Sequence, residues 1–466
     1  MRIKQLVYSC ALTAFAVASL NVNAKSVDVT AARAAAGKFI QQNTATKFRS
    51  SSLNSIKLAH AEKSSVKDNA YYVFNIDGGG WVIIAGDDRA KQVLAYGDNG
   101  SIDMNAMPDN MKSYLNRYKS QIELLQNYKG EVEPMKIKSV EPVEPLLRSI
   151  DWAQQSPFNY QCPTYNGSRS SVGCAALAMA QVVNYWEYPT DFPALGGYQN
   201  AYNYQMVPSL PARTIDYSLI RDQYTYFNDE GKLDWVDGVT DEEKQEVAWL
   251  CRYCAQACVM NFSPDGSGSN VDKQRNAFLN IGYSTDARLL GIEAWPSRNT
   301  WNTTDYTDDE WTAIMTAELQ AHHPLPYSCE GWDLGHAFVV DGVDADGLYH
   351  VNWGWYGRGD GWFQHKAFNV TVQGQYMEFN ESLFMIVDLY PYEGYVSPND
   401  PNASTDDIPG DINGDHILNV SDVTLLIQMV LNQEEITLDM DVVDINGDTQ
   451  INVADVTALI QMVLSH

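Results

Sequence analysis

The chain has 466 residues and is strongly acidic, with 59 Asp and Glu against 31 Lys and Arg and a formal net charge of −28 at pH 7. This charge disfavours nucleic acids and anionic lipid surfaces as partners. A hydrophobic content of 45% excludes a disordered protein, and the length allows about three domains.

The first 24 residues predict a secretory signal peptide. Arg2 and Lys4 precede an apolar run from Leu6 to Leu20, and small residues follow up to Ala24. The run is shorter than the roughly 20 residues that a membrane-spanning helix needs. No other stretch predicts a transmembrane segment, so we expect a protein that is secreted or associated with the cell surface.

Residues 25–145 predict a small α+β pro-domain followed by a cleavable connector. The alanine-rich stretch from Val27 to Asn43 favours a helix, and "AYYVFNIDGGGWVIIAGDD" alternates short β-rich runs with Gly and Asp turns. Lys129 to Ser149 repeats Glu-Pro without periodicity, which is typical of an exposed connector. The alternative is a permanent accessory domain.

Residues 146–392 predict a larger body that carries the candidate chemistry. Cys174 lies between Gly173 and an apolar helical stretch that ends at Pro189. A thiol at a helix N-terminus lies in the positive end of the dipole, and a neighbouring imidazolium lowers its pKa further. The pattern therefore predicts a thiolate nucleophile, although a buried structural cysteine fits the same short motif.

A second stretch, "GHAFVVDGVDADGLYHVNWGW", predicts a β-hairpin with its turn at "DADG". The hairpin brings His336 beside Asn352 and Trp353. We expect His336 to act as the base, Asn352 to hold its other ring nitrogen and Trp353 to shield that contact from water. Gln154 precedes Cys174 by 20 residues and is the candidate oxyanion donor.

These motifs together resemble the streptopain family of secreted bacterial cysteine peptidases. They are W-x-Q-x-x-P-F-N, V-G-C-A-A, G-H-A-F-V-V-D-G and Y-H-V-N-W-G-W, and the likeness extends over residues 26–390. It implies an α+β fold with a papain-like two-lobed catalytic domain, made as a zymogen behind a pro-domain. It also implies endopeptidase activity on protein or peptide substrates, with no cofactor for catalysis.

The resemblance also assigns roles to single residues. Cys174 matches the nucleophile and His336 the general acid/base of the family's motifs. The stretch "SPDGSGSN" is similar to the family's glycine/serine loop along the substrate cleft. This similarity implies substrate hydrogen bonds from Ser267, Ser269 and the main chain of Gly335.

Other cysteine and histidine residues have structural interpretations. Cys251, Cys254 and Cys258 recur at helical spacing along one apolar face, which favours core packing over a zinc site. His350 alternates with Asn352 on its strand and suits a structural hydrogen bond. The sequence leaves open any disulfide pairing among Cys162, Cys251, Cys254, Cys258 and Cys329.

Residues 409–466 follow a Pro/Ser/Asp linker at 393–408 and contain an internal repeat. "GDINGDHILNVSDVTLLIQMVL" is followed by "VDINGDTQINVADVTALIQMVL", and each copy begins with a loop of about 12 residues in the pattern that binds Ca²⁺. The predicted ligands are Asp411, Asn413, Asp415, Ile417, Asn419 and Asp422 in the first loop, and Asp444, Asn446, Asp448, Gln450, Asn452 and Asp455 in the second.

A single apolar helix after each loop resembles the type I dockerin module, which implies two Ca²⁺ sites and a cohesin-like partner. Position 6 of a calcium loop is ordinarily Gly, but here it is His416 and Thr449. Since a β-branched residue tolerates positive φ poorly, we expect the second loop to bind Ca²⁺ more weakly.

Three functions follow from these patterns. The favoured one is a secreted cysteine endopeptidase made as a zymogen and carrying a docking tail. The second is a papain-like amidase or acyltransferase acting on cell-wall peptides. The third is a catalytically inert binding protein that is carried by its dockerin module.

Overall fold

The structure is a computed structural model of the chain. It describes residues 26–43, 56–128, 132, 140–228, 231–292, 306–330, 335–367, 382–392, 395, 397–399, 410–412, 420–432 and 440–465. The predicted signal peptide lies outside the described residues. No helix in the described part of the chain combines the length and the apolar character that crossing a bilayer requires.

Residues 26–128, here called the pro-region, form an antiparallel sheet that is covered by helices. The elements are α1 (Val29–Asn43), β1 (Ile56–Lys63), β2 (Asn69–Ile76), β3 (Trp81–Ala85), β4 (Val93–Gly97) and α2 (Asp109–Asn127). Because strand side chains alternate between faces, Tyr72 and Phe74 pack with α1, whereas Tyr71 and Val73 belong to the main core that contains α2.

The central region, which comprises the described residues between 140 and 392, combines a helical part with a strand-rich part. Its helices are α3 (Cys174–Trp186), α4 (Asp241–Ala257), α5 (Val271–Asn280) and α6 (Asp308–Gln320). Its longer strands are β13 (Arg288–Ile292), β14 (Leu325–Glu330), β15 (Gly335–Val343), β16 (Tyr349–Asn352), β17 (Gly361–Phe363) and β18 (Ser382–Val387).

Short strands and one 3₁₀ turn at Tyr217–Leu219 occur in the loops of the helical part. They are β5 (Thr164–Tyr165), β6 (Ser168–Arg169), β7 (Asp191–Phe192), β8 (Tyr198–Gln199), β9 (Met206–Val207), β10 (Arg213–Thr214), β11 (Thr225–Phe227) and β12 (Leu233–Trp235).

The pro-region and the central region share one antiparallel sheet. Its order in the described residues is β1-β2-β3-β4-β17-β16-β15-β14-β18-β13. The junction pairs Trp362 with Tyr96 and Phe363 with Ala95. The pro-region is therefore bound to the central region by main-chain hydrogen bonds as well as by side chains.

Helix α3 begins at Cys174 for a steric reason. Gly173 has φ +91° and precedes the helix as its N-cap, and a Cβ there would lie only 2.7 Å from Met260 Sδ. Glycine accepts this backbone conformation and this close approach. From Ala175 to Trp186 every residue is buried, so the helix forms the centre of the core and its first turn is held rigidly.

The segment that follows the central region is hydrogen-bonded to it at its start. Tyr395 donates to Trp186 O at 2.8 Å, Ser397 donates to Tyr185 O, and Asn399 donates to Asn184 O at 3.2 Å. We call Tyr395, Ser397 and Asn399 the C-terminal strap. They satisfy carbonyl groups at the end of α3, so these three residues of the predicted linker at 393–408 contact the central region.

The tail has its own small core. Its helices are α7 (Val420–Asn432), α8 (Met440–Val443) and α9 (Val453–Ser465). Leu426 and Leu459, at equivalent positions of the two repeats, are both fully buried in one cluster. The two copies therefore bury their apolar helix faces against each other.

Candidate active site

Cys174 lies where the first turn of α3 meets strand β15. The helix packs on this strand, and the main-chain N–H of Ala337 points at the sulfur. Ala337 directly follows His336. The structure thus brings the predicted nucleophile to the strand residue next to the predicted base.

The charge state of this thiol differs from the expectation. Burial raises the pKa of Cys174, and the main-chain N–H groups of Ala337, Ala175 and Cys174 itself offset only part of the rise. The helix N-terminus is present as predicted, but loss of hydration penalises a thiolate more than the dipole stabilises it. The predicted standing thiolate stays a prediction, and burial in the chain that still carries its pro-region opposes it.

The surroundings of His336 favour its neutral form. Burial lowers its pKa, and the negative charge of Asp109, the first residue of α2, offsets this only in part. Nε2 is buried and has no hydrogen-bond partner, so this nitrogen makes no bond to the Cys174 sulfur. Burial thus shifts the pKa of each predicted member of the catalytic pair in the direction that opposes its charged form.

Asn352 does not contact His336. Its Nδ2 donates to Ile150 O at 2.6 Å, and its Oδ1 accepts from Gln181 Nε2 at 2.9 Å. Asn352 pairs with Val339 across β15 and β16, three residues beyond His336. The register, which includes a bulge in β15, therefore places the amide away from the imidazole, and the expected hydrogen bond between them is not formed.

Trp353 lies on the opposite face from Asn352, because successive residues alternate between faces. Its side chain is 1% exposed, and its ring centroid is 4.7 Å from that of Phe338. Phe338 is two residues from His336 and shares its face of β15. Trp353 thus lies on the histidine side of β15, and its role as a shield stays a prediction.

The N-terminal end of α2 packs on this same side. Asn110 Nδ2 donates to Trp353 O at 2.8 Å, and the Tyr114 ring centroid lies 5.6 Å from that of Trp353. A Cβ on Gly359 would be only 2.4 Å from Met111 Sδ. The sequence predicted a pro-domain, but not that this helix covers the histidine side.

Gln154 and Gly335 flank the two predicted catalytic residues. The carbonyl of Gln154 accepts from Val172 N at 2.9 Å, two residues before Cys174, and its side chain is half-buried. Gly335 is exposed and opens β15 immediately before His336. Their roles toward the oxyanion and the substrate stay predictions.

The predicted substrate-binding serines are turned into the protein. Ser267 Oγ donates to Ser171 O at 2.7 Å and accepts from Ser263 N at 3.0 Å. Ser269 Oγ donates to Cys258 O at 2.6 Å. These hydroxyls fix the shape of the loop, so the expected substrate bonds from the two side chains are not supported by their positions.

His350 has the structural environment that its sequence context favoured. Its Nδ1 lies 2.6 Å from Asp341 Oδ1. Burial alone would lower the pKa of His350, but the Asp341 carboxylate outweighs this effect and raises it. The His350 ring packs against the Trp362 ring on the neighbouring strand, which is a structural role.

The cysteines of α4 also pack in the core. Cys251, Cys254 and Cys258 are fully buried free thiols, as is the neighbouring Cys162. Within the described ranges no group of three or more His, Cys, Asp or Glu is arranged to hold a metal ion. The interpretation as core residues rather than a zinc site accounts for their positions.

Two half-buried carboxyl groups, those of Asp151 and Asp360, were not among the predicted site residues. Burial, aided by the charge of Asp360, raises the pKa of Asp151 to about 8. Burial raises the pKa of Asp360 to about 7, and its Oδ1 accepts from Trp353 N at 2.9 Å. The signal available in the sequence was only an acid in "GRGDG" close to a Trp-rich motif.

The second repeat loop has its oxygen atoms turned inward. Asp444 accepts from Asp448 N at 3.0 Å and from Thr449 N at 2.7 Å. Asp455 is fully buried and accepts from Asn452 N at 2.8 Å. A compact ring of carboxylate and amide oxygens suits a hard divalent cation such as Ca²⁺.

Thr449 has φ +66°, the left-handed conformation that this loop position requires and that a β-branched residue resists. Of the predicted ligands in the first loop, only Asp411 and Asp422 are described. The predicted ligands Asn413, Asp415, Ile417 and Asn419 lie outside the described residues.

Three family models match successive parts of the chain. The model of the Peptidase C10 family matches residues 152–363, that of the Spi protease inhibitor matches residues 24–122, and that of the Dockerin type I domain matches residues 409–464. The matches follow the same order as the three regions of the structure.

Individual proteins are similar over most of the chain. Streptopain of Streptococcus pyogenes is 29% identical over 359 residues, which cover 72% of this chain and 84% of that protein. The thiol protease/hemagglutinin PrtT of Porphyromonas gingivalis is 27% identical over 340 residues, which cover 69% of this chain and 36% of that protein.

A solved structure, a mutant fragment of prointerpain A from Prevotella intermedia, aligns with a TM-score of 0.55 and 28% identity. The alignment covers 71% of this chain and 98% of the fragment. The predicted α+β class, with a papain-like domain behind a pro-domain, is confirmed.

Proposed function

We propose that Cys174 and His336 carry out hydrolysis of protein substrates. The premise is that residues 152–363 belong to the peptidase C10 family and that the protein is a cysteine peptidase. The observation that supports this assignment is the approach of the Cys174 sulfur to Ala337 N–H, next to His336. The chain is made as a zymogen, in which the pro-region keeps this pair neutral.

The reaction begins when His336 accepts the thiol proton and the thiolate attacks the carbonyl carbon of the scissile peptide bond. The oxyanion accepts hydrogen bonds from the Gln154 amide and the main-chain N–H of Cys174. His336 then protonates the leaving amine, and a thioester joins the acyl group to Cys174. A water molecule that gives its proton to His336 hydrolyses the thioester.

Latency follows from the cost of charge in the covered site. Proton transfer from Cys174 to His336 creates two charges, and burial opposes each of them by raising one pKa and lowering the other. Departure of α2 removes Asn110 and Tyr114 from the Trp353 side and admits water. Hydration of the site then favours the thiolate and the imidazolium.

The processed bond lies before Val143. The connector already belongs to the sheet at this point, because Val143 N donates to Val343 O at 2.8 Å and Leu146 N donates to Asp341 O at 2.8 Å. Cleavage between the end of α2 at Asn127 and Val143 separates the two regions and leaves these bonds intact. The mature enzyme thus begins earlier than the boundary at residue 146 that the sequence predicted.

The predicted signal peptide directs export, and the tail docks the enzyme to a cohesin-like partner. In the second loop Ca²⁺ would be held by Asp444, Asn446, Asp448, the Gln450 carbonyl and Asp455. The bound ion would supply positive charge that relieves repulsion between the carboxylates and fixes α9. The equivalent ligands of the first repeat run from Asp411 to Asp422.

The peptidase assignment is tested with the unprocessed chain and its Cys174→Ala variant. We expect the parent to shorten by its pro-region and then to cleave casein, and the variant to do neither. An iodoacetamide probe should label Cys174 slowly before processing and rapidly afterwards. Casein cleavage by the variant at the parental rate would refute the assignment.

A further inference from the structure

Arg358 lies on the loop after β16, which is bonded to the segment of the candidate oxyanion donor. Tyr356 N donates to Trp152 O at 3.3 Å, and Tyr356 Oη donates to Ser156 O at 3.5 Å. Trp152 and Ser156 are each two residues from Gln154. The loop that carries Arg358 is therefore fastened to the chain on both sides of Gln154.

The same loop closes on Trp353. Trp353 Nε1 donates to Gly359 O at 3.0 Å, and Gly359 directly follows Arg358. The Trp353 ring packs on Phe338, on the side of β15 that carries His336. In the proposed reaction His336 protonates the leaving amine, so the carboxyl-terminal part of the substrate lies on this side. Arg358 consequently borders the path of that part.

An aromatic stack fixes the guanidinium of Arg358. Its Cζ lies 3.4 Å from the centroid of the Phe227 ring, within the range of a cation–π interaction. The Tyr356 ring packs edge-on against Phe227, with the ring centroids 5.9 Å apart. Tyr356 has φ +57°, a left-handed conformation that favours glycine. A strained backbone is thus retained at the residue whose ring supports the stack.

The charge of Arg358 is not neutralised within the central region. Across the described ranges its guanidinium forms no ion pair and no hydrogen bond. Burial lowers the pKa of Arg358, and the negative charge of Asp103 in the pro-region offsets this in part. An arginine side chain nevertheless stays protonated in proteins. The carboxylate that acts on Arg358 leaves with the pro-region, whereas the positive charge stays.

We propose that Arg358 is a specificity-determining residue that binds an acidic side chain of the substrate on the carboxyl-terminal side of the scissile bond. This inference rests on the proposed peptidase function and names the substrate class of the same site. The planar guanidinium matches a carboxylate with two parallel hydrogen bonds. In the zymogen Asp103 supplies negative charge toward Arg358, and in the processed enzyme the substrate carboxylate takes its place.

The test compares the processed enzyme with its Arg358→Ala and Arg358→Glu variants on three peptides. The peptides are identical before the scissile bond and carry glutamate, glutamine or lysine at the positions that follow it. We expect the parent to prefer the glutamate peptide. Arg358→Ala should lower kcat/KM for this peptide by about fivefold and leave the glutamine peptide unchanged. Arg358→Glu should turn the preference toward lysine.

Two further measurements separate charge from packing. Arg358→Lys, which keeps the charge, should retain a preference for the glutamate peptide. Salt at about 0.5 M should weaken the preference of the parent, because it screens exposed charges. Arg288→Ala is the matched control and should leave all three peptides unchanged, since Arg288 is exposed and pairs with Asp388 at the far edge of the sheet.

Two outcomes would overturn the role of Arg358 and leave the peptidase assignment intact. One is a parent without a preference for the glutamate peptide. The other is an Arg358→Ala variant that loses equally on the glutamate and glutamine peptides. Failure of the parent to cleave any peptide, with unreactive Cys174, would instead overturn the proposed function itself.

Discussion

The two faces of strand β15 are built from different parts of the chain. On the face toward α3, Asn352 bonds to Gln181 and Ile150, all within the central region. On the face of Phe338 and Trp353, the packing is completed by Tyr114 of the pro-region. The packing on the nucleophile's side is thus made within the central region alone. The packing on the histidine's side loses the side chains of the pro-region when that region leaves.

The largest expected effect comes from loosening only the histidine's side. Tyr114→Ala removes a buried ring that packs on Trp353, Phe338 and Phe363, which should weaken the hold of the pro-region by about 3–5 kcal/mol. We expect the half-time of self-processing, followed by gel electrophoresis, to shorten by about tenfold or more.

Asn116→Ala, on the exposed side of the same helix, is the control and should process at the parental rate. After processing, the Tyr114→Ala and parental enzymes are identical and should show the same kcat/KM. Unchanged processing in Tyr114→Ala would show that the two faces do not differ as described.

Removing hydrogen bonds on the face of β15 toward α3 should affect the stability of the enzyme rather than its latency. Asn352→Ala leaves Ile150 O and the Gln181 amide buried without their partner, at a cost of about 1–3 kcal/mol. We expect the Tm of the processed enzyme to fall by several degrees. The pH dependence of kcat/KM should stay in place, because Asn352 does not contact His336.

The opposite result for Asn352→Ala is equally informative. An acid limb that moves while the Tm stays constant would mean that Asn352 orients the imidazole in the mature enzyme, as its position in the motif suggested. The matched variant Gln181→Ala, which removes the other partner of the same bond, should lower the Tm in a similar way.

A pH scan probes the loop that follows Trp353. Since the pKa of Asp151 is raised to about 8 and that of Asp360 to about 7, both carboxyl groups bind protons more tightly in the folded chain than in the unfolded one. Their contribution to stability is full below about pH 4 and is lost as the pH rises through these values.

We therefore expect the Tm to fall by a few degrees as the pH rises from about 6 to about 9. Asp151→Asn removes a group that must ionise in a buried position, so it should flatten this decline. Asp286→Asn, an exposed carboxylate, is the control. A decline of the same size in Asp151→Asn would show that other groups cause it.

The smallest effect is expected in the tail, which belongs to neither face. Thr449→Gly relieves a left-handed conformation that costs a β-branched residue about 1–2 kcal/mol, so calorimetry should show Ca²⁺ binding at the second loop strengthened by up to about tenfold. Peptidase activity should not change. Unaltered calcium affinity would show that the strain at Thr449 does not limit binding.

Local patterns predicted the elements of the site well. Gly173 and the apolar helix after Cys174 placed the start of α3, and "DADG" placed the hairpin of β15 and β16. These features depend on turns and periodicity within a short stretch, which a sequence displays directly. The likeness to the streptopain family added the order of the regions.

Relations between distant segments were less accessible. The partner of Asn352 depends on strand register, which a bulge near Gly342 shifts; a Cβ on Gly342 would lie 2.9 Å from Val143 O, in the connector. The raised pKa of Cys174 depends on burial by the assembled fold. Neither the partner of Asn352 nor the pKa of Cys174 can be read from the short motif in which each residue lies.

The C-terminal strap has a mechanical consequence. Whatever holds the tail pulls on the molecule through Tyr395, Ser397 and Asn399, which are tied to the last carbonyl groups of the helix that begins at Cys174. Load from an anchored tail would reach the enzyme at the end of this helix farthest from the sulfur.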